Sequence, residues 1–165
     1  MERGFRSRRP NWRIPAFALD NRSATSETSR VDFCEITVTD LPIPAPPPGE
    51  SAACGGIVDF WGVVRPTENG ESISGIHYTC HPRMTGPVLR GIVQQAASAH
   101  PLLGCRLVHR IGFVATGETS LFLRTACAHR DAAYTASRAM IEDLKRLAPI
   151  WKHPVPTLHT AGIAA

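Results

Sequence analysis

The sequence lacks several features that would identify its class at once. None of its apolar runs approaches the roughly 20 residues that a membrane-spanning helix needs, so a helical membrane protein is not indicated. Its five cysteines are odd in number and widely spaced, and no CxxC pair occurs. This pattern argues against a disulfide framework and against a zinc ribbon. The simplest interpretation is a cytoplasmic protein whose thiols are reduced and mostly buried.

Motifs that mark common enzyme classes are also missing. The chain contains no GxGxxG, Walker loop, GxSxG or HExxH, which are the signatures of dinucleotide-binding proteins, P-loop proteins, serine hydrolases and zinc proteases. His77 and His81 are four residues apart, but in a strand pattern that spacing places them too far apart to chelate one ion. No pair of carboxylates accompanies the basic residues at the ends of the predicted helices and strands.

What remains is an ordinary globular composition with a small positive excess. The 165 residues are 43% hydrophobic and 19% charged, which suits one domain with a real core. The net charge of +4 permits an anionic partner without identifying it. Arginine and serine are concentrated in residues 1–30, for which we predict a disordered extension. Nucleic-acid binding by this arm is disfavoured, because the chain offers neither an aromatic platform nor a recognition helix.

The first half of the chain reads mainly as strands. Strands are predicted at residues 31–39, 55–64 and 72–80, and the proline-rich segment 42–49 is predicted to be a loop. Asn69-Gly70 is a strong turn pair, so residues 55–80 could form a hairpin.

The second half alternates helices and strands. A helix is predicted from an N-cap at Thr85 to Pro101, strands follow at 105–111 and 120–127, and a long helix spans 131–148. The order β-β-β-α-β-β-α indicates an α+β fold, with helices packed on one face of a mixed or antiparallel sheet. The predicted domain covers residues 31–153, and residues 154–165 are predicted to be an irregular tail.

Two lysines flank the end of the long helix. Lys145 lies at the edge of the helix's apolar stripe, and Lys152 follows Pro149, which ends the helix. A lysine beside apolar groups such as Trp151 is partly desolvated and can act as an anion hook or as an amine with a lowered pKa. The alternative is two solvated lysines that complement the helix dipole. Spacing alone leaves both interpretations open.

Other basic residues sit at the ends of predicted elements. Arg65 ends a strand beside a glycine-containing loop. His129 and Arg130 stand where the long helix begins, and free N–H groups at a helix start bind anions. The alternative there is that Asp131 is simply the N-cap and that Arg130 is solvated. Taken together, the candidate groups are cationic and predict a phosphate-bearing or otherwise anionic substrate with a carbonyl-like centre.

Four segments, in this order, resemble the large catalytic subunit of molybdopterin synthase. They are GGIVDFWGVVR at 55–65, HRIG at 109–112, AHR at 128–130 and LKRLAPIWK at 144–152. The resemblance covers residues 31–153, and the last segment is the most specific.

The resemblance implies an α/β-hammerhead fold and a homodimer. Each large subunit of that family binds a small ubiquitin-like sulfur carrier, which gives a heterotetramer. The carrier's C-terminal Gly-Gly thiocarboxylate enters a pocket, and two sulfurs pass to cyclic pyranopterin monophosphate to form the molybdopterin dithiolene. The resemblance implies no metal and no cofactor for this transfer. An alternative is a catalytically weakened paralogue that only binds a ubiquitin-like carrier.

The resemblance also implies roles for individual residues. Lys145 and Lys152 would be the catalytic pair, the first assisting sulfur attack and the second binding or activating the pterin. Three basic residues, Arg65, His129 and Arg130, would bind the substrate, chiefly its phosphate. Four further residues would line the same pocket mainly through backbone atoms: Val63, Val64, His153 and Pro154.

Overall fold

The computed structural model describes residues 12–14, 33–46 and 53–157. The elements in chain order are β1 (Trp12–Ile14), β2 (Phe33–Thr39), β3 (Gly56–Val63), β4 (Thr67–Glu68), β5 (Glu71–Cys80), α1 (Thr85–Ala99), β6 (Leu102–Arg110), β7 (Gly112–Ala115), β8 (Thr119–Cys127), α2 (Arg130–Leu147) and β9 (Ile150–Pro156). Within these ranges, neither helix is apolar over a length that could cross a membrane. The α+β prediction is confirmed.

Five strands form the larger sheet, in the order β1-β2-β6-β8-β3. β2 and β6 run parallel, and the other neighbouring pairs run antiparallel. Side chains alternate between the two faces of such a sheet. On one face, Leu107 of β6 and Leu123 of β8 are fully buried beneath the helices.

The two helices cover that face and supply the other half of the main core. Leu89 and Val93 of α1 and Met140 of α2 are completely buried in it. Burial of each large apolar side chain stabilises the fold by roughly 1.5–3 kcal/mol. The buried positions of α2 follow the spacing of a helical stripe, and small residues such as Ala133 let this helix lie close to the sheet. The predicted span of 131–148 is correct to within one residue at each end.

The smaller sheet is built around β5. β4 forms a hairpin with β5, β7 pairs with β5, and β9 pairs with it along nearly its whole length. Asn69 and Gly70 have φ values of 51° and 85°, as the two central residues of a type I′ turn require. The turn prediction is therefore confirmed. Val114 and Ile76 belong to a separate small core behind this sheet.

The predicted hairpin over residues 55–80 is wrong. β3 pairs with β8 in the larger sheet, whereas β5 belongs to the smaller one. Two cross-strand contacts tie β3 to β8. The rings of Trp61 and Phe122 lie 4.5 Å apart between centroids, and Arg124 donates two hydrogen bonds of 2.7 Å to Asp59. The alternation of apolar and polar residues identifies a strand but not its partner. The two contacts between β3 and β8 favour this pairing.

Four strands, β1, β4, β7 and β9, were not predicted. Gly112 has a φ of 78°, so the chain turns sharply after β6 and enters the smaller sheet as β7. β9 contains His153 and Pro154, and its last residues fall in the predicted irregular tail. Prolines disfavour a strand prediction, but they are compatible with a strand at the rim of a sheet.

The predicted extension at residues 1–30 differs from the structure at Trp12–Ile14, which pair antiparallel with β2. The rest of that segment, residues 47–49 of the predicted loop and residues 158–165 of the predicted tail lie outside the described residues. The predictions for them stay predictions.

The contact between β3 and α2 leads to a stability prediction. A Cβ at Gly56 would lie 2.7 Å from the Cα of Arg130 and 2.8 Å from its nitrogen. Since backbone atoms cannot move aside cheaply, we expect Gly56→Ala to lower the free energy of unfolding by about 1–3 kcal/mol in urea denaturation. The control is Gly91→Ala on the exposed side of α1, where nothing lies within 4 Å of the new methyl group. That change should stabilise the protein by about 0.5–1 kcal/mol. Equal stabilities for the two variants would contradict the close packing.

Candidate functional site

A large open pocket lies where the two sheets and the end of α2 meet. Its volume is about 760 Å³, and its walls come from β3, β5, β6, β8, α2, β9 and the β4–β5 hairpin. Five of the residues predicted for the site line it: Val63, Val64, Arg65, Lys145 and Lys152. These residues come from two segments about 80 positions apart in the sequence. The fold therefore brings together the two lysines and the strand-end arginine.

The end of α2 explains how both lysines reach one pocket. Ala148 leaves the helical conformation with φ −66° and ψ 126°, as expected for a residue that precedes proline. The carbonyl of Pro149 accepts a hydrogen bond of 3.0 Å from the N–H of His81. The chain then enters β9, where Lys152 lies opposite Tyr78 of β5. A connection of two residues between α2 and β9 thus separates a lysine at the end of a helix from a lysine on a strand.

The structure corrects the expected desolvation of the lysines. Lys145 is exposed, and 55% of the Lys152 side chain is accessible to solvent. Trp151, predicted to be an apolar anchor, is itself half exposed. The apolar neighbours line the pocket wall without covering either ammonium group. Both lysines are therefore placed to meet a ligand as charged groups open to the pocket.

An acidic residue lies between two of the cations. The carboxylate of Glu68 is 3.6 Å from Nη2 of Arg65 through one oxygen and 3.8 Å from Nζ of Lys152 through the other. Sequence reasoning missed Glu68 because its position depends on the hairpin that carries it. The available signal was its place directly before the Asn69-Gly70 turn.

His129 and Arg130 do not line this pocket. They are exposed at the beginning of α2, where 84% of the Arg130 side chain is accessible and its Nε lies 3.6 Å from Asp131. Lys145 is fifteen residues further along the same helix, a separation of about 22 Å at 1.5 Å per residue. His129, not Asp131, occupies the N-cap position. Within one chain, these two basic residues cannot share a small ligand with the lysines.

His153 and Pro154 are also absent from the pocket lining. Because side chains alternate along β9, His153 points to the face opposite Lys152. There its Nε2 forms a hydrogen bond of 3.0 Å with the hydroxyl of Thr79. The roles assigned to these residues by resemblance stay predictions.

The floor of the pocket contains polar groups that sequence reasoning did not identify. The buried Tyr78 hydroxyl donates to Oγ of Ser120 at 3.2 Å, and Ser120 donates to the carbonyl of Gly62 at 3.1 Å. Burial raises the pKa of Tyr78, its hydrogen bond to Ser120 lowers it, and the charge of Glu68 raises it further. Tyr78 is thus a neutral phenol that holds β5 against β8.

His109 packs against Tyr78 with its ring centroid 5.4 Å away, edge to face. Its Nδ1 lies 2.7 Å from the carbonyl of Arg110, and a carbonyl can only accept, so Nδ1 carries the proton. Burial lowers the pKa of His109 to about 4, the Arg110 carbonyl opposes this, and the positive charge of Lys152 lowers the pKa further. His109 is therefore a neutral imidazole on the pocket wall.

A second cavity of about 250 Å³ lies on the opposite face of the larger sheet. Pro44 and Pro46 help to line it, and it contains the ion pair of Glu35 with Arg106 at 2.9 Å. It contains none of the residues predicted for the site. Among the residues that the structure describes, no group of three or more His, Cys, Asp or Glu is arranged to hold a metal ion.

The larger pocket suits a ligand with negative charge. Two lysines and an arginine surround it, one carboxylate partly offsets them, and the imidazole beside them is uncharged. Preorganised cations of this kind bind phosphates and stabilise negative charge that develops during acyl or sulfur transfer.

Comparisons with known proteins agree on a family. The family model described as MoaE protein matches residues 40–147. The molybdopterin synthase catalytic subunit of Pseudomonas aeruginosa is 36% identical over 103 residues, which cover 62% of this chain and 69% of that protein.

Solved structures give the same picture for the fold. The X-ray structure of molybdopterin synthase from Staphylococcus aureus matches with a TM-score of 0.61 and 27% identity, over 65% of this chain and 78% of that one. A complex of subunits 1 and 2 of molybdopterin-converting factor from Helicobacter pylori matches with a TM-score of 0.53 and 22% identity, over 68% and 82%.

The environment of His109 leads to a prediction about acid stability. An unfolded histidine has a pKa near 6.5, and the folded value is about 4, so the unfolded state binds more protons between these pH values. The stabilisation is therefore complete above pH 6.5 and is lost as the pH falls towards 4. We expect the wild-type protein to lose up to about 2 kcal/mol more between pH 7 and pH 5 than His109→Leu, measured by urea denaturation. His77→Leu, which removes an exposed imidazole outside the pocket, is the control substitution. An unchanged slope in His109→Leu would contradict the assignment.

Proposed function

This chain belongs to the MoaE protein family, and we propose that it is the catalytic subunit of a molybdopterin synthase. In this proposal it transfers sulfur from the C-terminal thiocarboxylate of a small carrier protein to cyclic pyranopterin monophosphate. The observation that carries the proposal is the single pocket that gathers Arg65, Lys145 and Lys152. The similarity to curated molybdopterin synthase catalytic subunits supports the substrate and the reaction.

The chemistry of the proposed transfer fits these groups. The thiocarboxylate sulfur forms a bond to a side-chain carbon of the pterin, and the oxygen that this carbon carried leaves with a proton. Water then cleaves the acyl–sulfur bond, so the sulfur stays on the pterin and the carrier leaves as a carboxylate. Both steps pass through negatively charged centres, which Lys145 can stabilise from the end of α2. Lys152 and Arg65 lie across the pocket and are placed to hold the phosphate-bearing pterin. Two rounds with two carriers would deliver both sulfurs of the dithiolene.

The proposed partner is a small ubiquitin-like carrier that ends in Gly-Gly. A complex of two subunits is described for the Helicobacter pylori protein of the same fold, and this supports a carrier subunit here. The pocket is open to solvent on the side of the exposed Lys145, so an extended peptide tail has a route to the lysines. We further propose that the complex acts in the cytoplasm, consistent with the five cysteines, which form no disulfide in the part of the chain that the structure describes.

A second copy of this chain is the proposed source of the remaining basic groups. His129 and Arg130 lie about 22 Å from Lys145 along α2, too far to bind the same phosphate from within one chain. If they act on the substrate, they must reach the pocket of another copy. This placement supports the proposed homodimer and, with one carrier on each copy, the heterotetramer.

The lysine roles have a direct test. We expect Lys145→Ala and Lys152→Ala each to reduce molybdopterin formation at least about 100-fold, because each change removes a cation that stabilises charge in the reaction. The assay combines purified protein, thiocarboxylated carrier and cyclic pyranopterin monophosphate, and measures dithiolene product. Arg146→Ala is the matched control, since Arg146 is exposed, next to Lys145 and paired with Asp143 at 2.7 Å outside the pocket.

The outcomes separate the two candidate roles of the protein. Retained activity in both lysine variants would contradict the catalytic roles proposed for Lys145 and Lys152. A wild-type protein that captures the carrier but forms no product would instead identify a weakened paralogue that only binds the carrier.

The shared site has a complementation test. Lys145→Ala and Arg130→Ala proteins are unfolded together, refolded as a mixture and assayed. Random pairing makes half of the dimers mixed, and each mixed dimer keeps one intact site if Arg130 serves the other copy. We therefore expect about one quarter of the wild-type activity from the mixture and little from either variant alone. A mixture no more active than its components would place Arg130 outside the site.

A further inference from the structure

We propose that Glu68 makes the pocket select a ligand that carries both an anionic group and paired N–H donors. The inference rests on the proposed function and extends it, because it assigns the recognition of the pterin ring to a residue that the family resemblance leaves without a role. Cyclic pyranopterin monophosphate has both features. Its phosphate is anionic, and the amino-pyrimidinone edge of its ring presents two N–H groups side by side.

The first observation is the distance from Glu68 to its cationic neighbours. Its carboxylate oxygens lie 3.6 Å from Arg65 and 3.8 Å from Lys152, beyond the range of a hydrogen bond. Within the described residues, no hydrogen bond to this carboxylate is present. Glu68 therefore lowers the positive charge of the pocket, while both of its oxygens keep their capacity to accept hydrogen bonds.

The second observation is that Glu68 is held in place. It pairs with Glu71 across the base of the type I′ turn, and only 20% of its side chain is exposed. The two-residue hairpin sets the backbone position of Glu68, and the low exposure of the side chain limits the room in which the carboxylate can move. Its charge reaches the pocket floor, where it contributes to the raised pKa of Tyr78.

These observations have opposite consequences for two kinds of ligand. A simple anion such as inorganic phosphate gains Arg65 and Lys152, but it meets a fixed negative charge that already lies close to both. A ligand with paired N–H donors can use that charge, because a carboxylate accepts two parallel hydrogen bonds and charge-assisted bonds are about twice as strong as neutral ones. Glu68 would thus disfavour abundant small anions and favour a ligand that offers an anion and donors together.

The experiment compares two ligands on the full-length protein by isothermal titration calorimetry. The probes are inorganic phosphate and cyclic pyranopterin monophosphate. In Glu68→Gln, which keeps the shape but removes the charge, phosphate should bind about 3- to 10-fold more tightly because the repulsion is gone. The pterin should bind about 10-fold more weakly, the equivalent of one lost charge-assisted hydrogen bond.

Two further variants separate charge from hydrogen bonding. Glu71→Gln makes the same change in net charge on the same hairpin, at an exposed position outside the pocket, and should leave both dissociation constants within about twofold of wild type. Glu68→Asp keeps the charge but shortens the reach. It should leave phosphate binding weak, as in wild type, and still weaken pterin binding. Urea denaturation confirms that each variant is folded.

Each outcome supports or overturns the proposed role of Glu68 in ligand selection. Tighter binding of both ligands in Glu68→Gln would make Glu68 a counter-charge only and overturn the inference. Unchanged phosphate affinity in that variant would overturn it as well. A wild-type protein that binds phosphate but neither binds nor converts the pterin would overturn the proposed function itself. That failure is visible in the wild type alone, before any Glu68 variant is compared.

Discussion

The junction between α2 and β9 is the constraint on which the site depends. Ala148 precedes a proline and must leave the helical conformation, and two residues later the chain pairs with β5. This short connection joins the helical layer of the larger sheet to the smaller sheet. It also fixes Lys145 and Lys152 on two walls of one pocket. Without the break at Pro149, the second lysine would lie two helical turns, about 10 Å, further along the same face of α2, and not on a strand of the smaller sheet.

The pocket is a product of two cores rather than one. The larger core, between the helices and the five-stranded sheet, places the end of α2. The smaller core behind β5 places Tyr78 and the hairpin that carries Glu68. The polar floor joins the two, since Tyr78 of the smaller sheet bonds to Ser120 of the larger one. The side chains of Tyr78 and Ser120 therefore both stabilise the fold and shape the pocket, and Glu68 beside them contributes to its charge.

Sequence patterns predicted the parts of this fold that local physics decides. The long helix is clear from its apolar spacing and its terminal proline, and the Asn69-Gly70 turn from its residue types. The pairing of β3 with β8 could not be predicted, because alternation of side chains does not name a partner strand. Glu68 and His109 were missed for a related reason: nothing local to either residue shows that distant strands place them around the lysines. His129 and Arg130 were grouped with the lysines as basic residues at the ends of elements, and again by resemblance, but the length of α2 separates them from the lysines within the chain.

The prolines of β9 also affect how the outer edge of this strand can pair with another molecule. The N–H of Thr157 donates to Ser72 of β5, and alternate residues of a strand turn their N–H groups to the same side. Positions 154 and 156 therefore face away from β5, and both are proline, so neither has an N–H to offer. A stray strand from another molecule would find no donors there. The C-terminal part of the β9 edge is thus protected from edge-to-edge aggregation while the pocket beside it stays open.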